Sequence, residues 1–204
     1  MRWDKRVQTG AVLLWLLLLP ALLAPAIITG KGGLGPEAKF DADAMFGVPS
    51  SAQLRPYDDA TPYVLEYPHD VYLAQRVRSG HFDLWNPLQG FGAPHLADQQ
   101  GVLNPLRLIY YLHPSHRSHL LFCLSKLVLA GVGAFFLARQ RGLSILAALA
   151  AASLFEICGG MISQLPFTSA APTVLLPWVL LGIEQMRAGR SRAGLITLSL
   201  SLAL

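Results

Sequence analysis

Charge is what this sequence has least of. Only 14% of its 204 residues are Asp, Glu, Lys or Arg, against 53% hydrophobic residues. The mean hydropathy is +0.43. A soluble domain carries about a quarter charged residues, so the composition points to the membrane class. Cysteine is scarce too: Cys123 and Cys158 are the only two, and both sit in apolar runs. That excludes a disulfide framework and reads as two small buried apolar side chains. No Lys/Arg-rich run with interleaved aromatics occurs, which argues against nucleic acid as a partner. There is no internal repeat and no low-complexity tract.

What is there instead is a series of long apolar runs. Ala11–Ile28 has 18 residues without a charge, about 27 Å as a helix and close to the thickness of a bilayer core. Pro20 and Pro25 would kink such a helix without preventing it from spanning. The same stretch also fits a cleaved signal peptide, with a basic start and Ala24-Pro25-Ala26 as an A-x-A site. On either reading the segment that follows is exported. His119–Leu137 is a second run interrupted by Lys126, Leu143–Ile157 an alanine-rich third, and Ala170–Met186 a fourth. Ala193–Leu204 is apolar but shorter than the roughly 20 residues of a spanning helix. It is expected to open a fifth span in a longer polytopic chain. The expected fold is all-α, a polytopic transmembrane helical bundle. Residues 1–29 form a cytoplasmic N-terminus and first helix, 30–117 a long, partly helical extracytoplasmic loop, and 118–204 helices two to four with the truncated fifth.

The basic residues orient this arrangement. Arg2, Lys5 and Arg6 precede the first run, Arg139 and Arg141 follow the second, and Arg187, Arg190 and Arg192 follow the fourth. These are alternate connections, so the positive-inside rule places them in the cytoplasm. The expected location is a bacterial inner membrane, multi-pass, with the N-terminus inside.

The polar residues concentrate in the 30–117 loop. It holds all six tyrosines, five of the six histidines, nine of the twelve acidic residues and nine of the fourteen prolines. Asp70–Arg78 has the spacing of a short amphipathic helix, with Val71, Ala74 and Val77 on one side and Gly80 to stop it. Val102–Leu112 is apolar enough to lie on the membrane surface with Tyr110 and Tyr111 as interface anchors. The carboxylates form short clusters: Asp41 with Asp43, Asp58 with Asp59, and then Glu66 and Asp70. Such pairs can hold a divalent cation against a phosphate, or supply a general base. They can equally be solvated or cap a helix, as Asp70 would after Pro68. The histidines at 69, 81, 95, 113, 116 and 119 lack the converging pattern of a zinc site and read as bystanders. Within the runs, Lys126 and Glu156 are the intramembrane charges. They are expected to pair, or Lys126 to meet a lipid phosphate. Glu184 can pair with Arg187 one turn on.

A specific series of short motifs runs through the loop. It comprises Pro68-His69-Asp70, Arg78-Ser79-Gly80, Trp85-Asn86-Pro87, Gly92-Ala93-Pro94, Ala97-Asp98-Gln99-Gln100 and Asn104-Pro105. Arg141-Gly142-Leu143-Ser144 and Leu176-Pro177-Trp178 continue it. In this order they resemble the first external loop and following helices of the bacterial YfhO-like membrane proteins, which belong to the polytopic glycosyltransferases of the GT-C fold. The resemblance covers most of residues 55–190. Asp83 departs from it, standing where that family has proline.

The resemblance implies a transferase that takes a sugar from a polyprenyl-phosphate-linked donor at the outer face of the membrane, inactive as these 204 residues alone. It implies an essential carboxylate just upstream of the Tyr67-Pro68 helix, which falls on Asp59 with Asp58 beside it. Arg76, Arg78 and Lys126 are the expected phosphate contacts, and Trp85 could stack on a sugar ring. A divalent cation is the one cofactor this chemistry could call for, and no metal ligands are assigned. The alternative is a non-enzymatic lipid or polysaccharide transport or assembly protein, with Lys126 and Glu156 lining a path.

Overall fold

Serines in front of apolar runs start the helices, and glycines after them end the helices. In the computed structural model the described residues are 5–23, 67–81, 85–86, 91–94, 104–113, 115–164 and 171–203. They form α1 (Lys5–Leu23), α2 (Tyr67–Arg78), β1 (Trp85–Asn86), β2 (Ala93–Pro94), a 3-10 turn η1 (Pro105–Arg107), α3 (Leu108–Leu112), α4 (His116–Gln140), α5 (Ile145–Glu156), α6 (Gly159–Gln164), α7 (Ala171–Arg187) and α8 (Ser191–Ala203). The described residues are helical apart from turns and the two-residue antiparallel pairing of β1 with β2.

Ser115 caps α4, its Oγ accepting the Ser118 backbone N–H at 3.2 Å. Ser144 caps α5 in the same way, accepting from Ala147 at 3.2 Å. Each cap satisfies one of the N–H groups a helix start leaves open. At the far end of α4, Gly142 takes φ +86. The Leu143 N–H then reaches back to the Ala138 carbonyl and the Gly142 N–H to Arg139. That is the two-bond closure a left-handed glycine allows. Gly80 ends α2 by the same pattern, as the sequence led us to expect.

Helix α4 is the axis of the fold. Its 25 residues span about 38 Å, and α1, α3, α5 and α7 all pack on it. Its Leu121–Gln140 stretch is long and apolar enough to cross a membrane, with a hydropathy of 2.1, and is the one such helix among the described residues. Gln8–Leu22 and Ile145–Glu156 are shorter apolar helices. The third expected span differs most from expectation. At 12 residues, α5 rises about 18 Å and stops halfway along α4. A turn at Ile157–Cys158 and the short α6 follow. Met161 of α6 drops into a cluster with Cys123, Leu127, Ala130 and Val174. Cys158 itself is exposed on that turn, contrary to the expectation that both cysteines are buried; Cys123 is buried.

The helices alternate in direction. Val12 and Leu16 of α1 meet Phe135 of α4 and Ala148 and Ala152 of α5. Arg141, at the end of α4, holds Glu184 near the end of α7 at 2.9 Å, and Arg187 adds to the same carboxylate at 3.3 Å. The sequence pointed to the Glu184–Arg187 pair but not to Arg141. The bridge ties the two arginine-bearing turns to one end of the bundle. Helix α8 returns antiparallel to α7. At Gly194 a Cβ would stand 2.4 Å from Met186 Cγ and 2.7 Å from the Gly182 carbonyl. We therefore expect Gly194→Val to destabilise the protein by about 1–3 kcal/mol, read as a lower melting temperature in detergent. Ser199→Ala, on the exposed side of α8, should change little. An unshifted Gly194→Val would contradict the close approach of α7 and α8.

Candidate functional site

The segment before α4 supplies a cation that the sequence did not single out. Asn104 Oδ1 accepts the Leu106 N–H at 2.9 Å, and Pro105 opens η1 with its φ already set. This start lays η1 and α3 against α4. The Arg107 guanidinium then lies 5.5 Å from the centre of the Phe122 ring. One turn along α4, Lys126 Nζ lies 4.5 Å from the same ring. Both cations are buried, at 1% and 4% exposure. A desolvated cation on an aromatic face gains about 2 kcal/mol. The only signal in the sequence was a lone arginine inside the otherwise apolar Val102–Leu112.

An apolar groove of about 680 Å³ also lies along α4, on a face that carries neither Phe122 nor Lys126. Leu17 and Pro20 of α1 form one wall, Leu121, Ser125 and Val132 of α4 the floor, and Trp178 of α7 the other side. Leu106 and Ile109 also line it, and they flank Arg107 in the chain. Ser125 leaves the groove apolar by donating its hydroxyl to the Phe122 carbonyl at 2.6 Å. Trp178 is fixed by donating its indole N–H to the Leu129 carbonyl at 2.8 Å. It can lie this close because residue 133 is glycine; a Cβ there would be 2.5 Å from the indole nitrogen.

Lys126 and Glu156 do not pair. Glu156 is fully buried, and neither carboxylate oxygen has a hydrogen-bond partner among the described residues. Its side chain rests on Gly131, where a Cβ would come 2.5 Å from Oε2. Gly131 follows Lys126 by five residues, about 140° around the helix and 7.5 Å along it. The two charges therefore lie at different faces of α4.

The loop motifs fold into a small scaffold. Trp85 pairs with Pro94 and Asn86 with Ala93, so the Trp-Asn-Pro and Gly-x-Pro motifs are the two sides of one pairing. Gly92 lies under the indole, where a Cβ would be 2.2 Å from Nε1. Asn86 is buried, and Trp85 keeps about half its surface open. In α2, Leu73 and Ala74 pack on Tyr110 and Tyr111 of α3. These tyrosines are buried, not interface anchors: α2 offers them an apolar partner, and Leu108, Ile109 and Leu112 are the exposed residues. Arg76 is half-buried and Arg78 exposed, near the end of α2. Asp58 and Asp59 lie outside the described residues. Of the histidines, His69 is buried on α2 and the His81 ring lies 2.9 Å from the Ser79 carbonyl.

No family model, curated protein or solved structure matches this chain.

The Gly131–Glu156 contact gives a direct test. Gly131→Ala should destabilise the protein by about 1–3 kcal/mol. In a Glu156→Ala background the same change should cost little, because the carboxylate it collides with is gone. Equal costs in both backgrounds, measured as a double-mutant cycle, would show that the two residues do not meet.

Proposed function

We propose that this chain belongs to a membrane glycosyltransferase of GT-C type, transferring a sugar from a polyprenyl-phosphate-linked donor to an acceptor outside the cell membrane. The observation that carries this reading is the Arg107–Phe122–Lys126 stack together with a long apolar groove along α4. A donor of this class is an isoprenoid tail with a phosphate at its head. The apolar groove suits the tail, and the two buried cations, which stand beyond its lining, suit the phosphate.

In the reaction, the acceptor oxygen bonds to the anomeric carbon as the bond from that carbon to the phosphate oxygen breaks. The acceptor proton passes to Asp59, with Asp58 beside it. The charge left on the lipid phosphate is held by Arg107 and Lys126, with Arg76 and Arg78 as further contacts from α2. Stabilising charge as it develops on a leaving group is the strongest contribution a site of this kind makes. Trp85, with one face on Gly92 and the rest open, is the candidate to stack on a sugar ring. In this reading α1, α4, α5 and α7 are membrane helices of a polytopic bundle. The arginine-bearing turns face the cytoplasm, and the chain sits in a bacterial inner membrane. The transport alternative needs Lys126 and Glu156 on one path. Lys126 lies on one face of α4 and Glu156, from α5, packs against another, which favours transfer.

Asp59→Asn in the full protein should lower sugar transfer by about 10²–10⁴-fold, the usual contribution of a general base, with membrane abundance unchanged. Transfer at the wild-type rate would rule out the assignment. Lys126→Gln should also lower transfer. It should weaken protection of the protein by added polyprenyl phosphate in thermal melts, whereas Asp59→Asn should leave that protection intact.

A further inference from the structure

A second groove lies toward the opposite, arginine-bearing end of the bundle. It encloses about 450 Å³ between α1 and α5, lined by Gln8, Val12 and Trp15 and by Ile145, Leu146 and Leu149. Its far end is closed by the Trp15 indole N–H donating to Ser153 Oγ at 3.1 Å. Its near end lies by the basic turn between α4 and α5, since Ile145 opens α5 and lines the groove. Arg139, in the last turn of α4, donates to the Leu143 carbonyl in the turn that enters α5. Arg139 also follows Phe135 by one turn, and Phe135 packs on Val12 and Leu16 of α1. Arg141 is held elsewhere, by Glu184 on α7. It lies two residues on, about 200° around a helix. The turn therefore gives one arginine to α7 and one to the groove.

An occupant of such a groove has an apolar stem and an anionic head. A peptide would bring backbone polar groups into a trough whose walls are almost wholly apolar, and these would go unsatisfied. We infer that the groove holds one acyl chain of an anionic glycerophospholipid, its phosphate against Arg139. The inference rests on the chain being embedded in a membrane and does not depend on glycosyl transfer.

The test is lipid binding by the purified, delipidated full chain in detergent, followed by native mass spectrometry. Phosphatidylglycerol and phosphatidylcholine with identical acyl chains are compared. The expected preference for phosphatidylglycerol is roughly fivefold, the scale that one basic residue at a bilayer surface provides. Arg139→Gln should remove most of that preference. Arg190→Gln, at the exposed turn between α7 and α8, should leave it unchanged. Leu149→Trp fills the groove while keeping every charge, and should lower binding of both lipids. Equal binding of the two lipids would overturn the inference. So would an unchanged preference in Arg139→Gln, or an equal loss in Arg190→Gln, which would mark general attraction to a basic surface. Unaltered binding by Leu149→Trp would place the lipid elsewhere.

Discussion

Two glycines separated by one residue set how closely the helices can approach α4. Gly131 and Gly133 point about 200° apart on the helix, so α5 uses one and α7 the other. The Glu156 side chain occupies the space at Gly131, and the Trp178 indole the space at Gly133. Each approach depends on an absent Cβ. Helix packing in an apolar solvent gains from close contact of small residues far more than from burial of apolar surface. From these two contacts follow the depth at which α5 ends, the wall that Trp178 gives the large groove, and the meeting of α7 with α4 that lets Arg141 reach Glu184.

The same arrangement separates the chain's charges by role. Arginines at the turns are exposed and shared with Glu184 or backbone carbonyls. Arg107 and Lys126 are buried around one aromatic ring. The first kind of charge positions helix ends and costs little to solvate. The second kind is costly to keep out of water. That difference in burial is what directs the functional reading to the η1–α4 junction and away from the arginine turns.

Much of this could be read from the residues in order. The uncharged runs with serine before them and glycine after them are local signals, and α4, α5 and the end of α2 follow them. Of the basic turns, the two that carry Arg141 and Arg187 meet on Glu184. Contacts set by tertiary placement could not be read in that way. Tyr110 and Tyr111 look like interface residues until α2 supplies Leu73 and Ala74 to cover them. Lys126 and Glu156 look like a pair because both are charges in apolar runs, but pairing depends on helix phase, and Gly131 fixes that phase. Arg107 was hidden by its neighbours, since one cation in a surface-seeking segment reads as an anchor to water. The Trp-Asn-Pro and Gly-x-Pro motifs were legible as a unit, although their pairing across Trp85 and Gly92 was not. The carboxylates at 58 and 59 lie outside the described residues, so the role proposed for them rests on the motif order and the chemistry of transfer.

The most direct test of the account is photocrosslinking of the full protein in native membranes with a polyprenyl phosphate carrying a diazirine on its tail. The account predicts adducts on the α1–α4 groove, at Leu17, Leu121 and Val132, that fall away when unlabelled polyprenyl phosphate is added. Adducts spread evenly over the exposed face of α8, at Leu195 and Leu200, with no competition by unlabelled lipid, would contradict it.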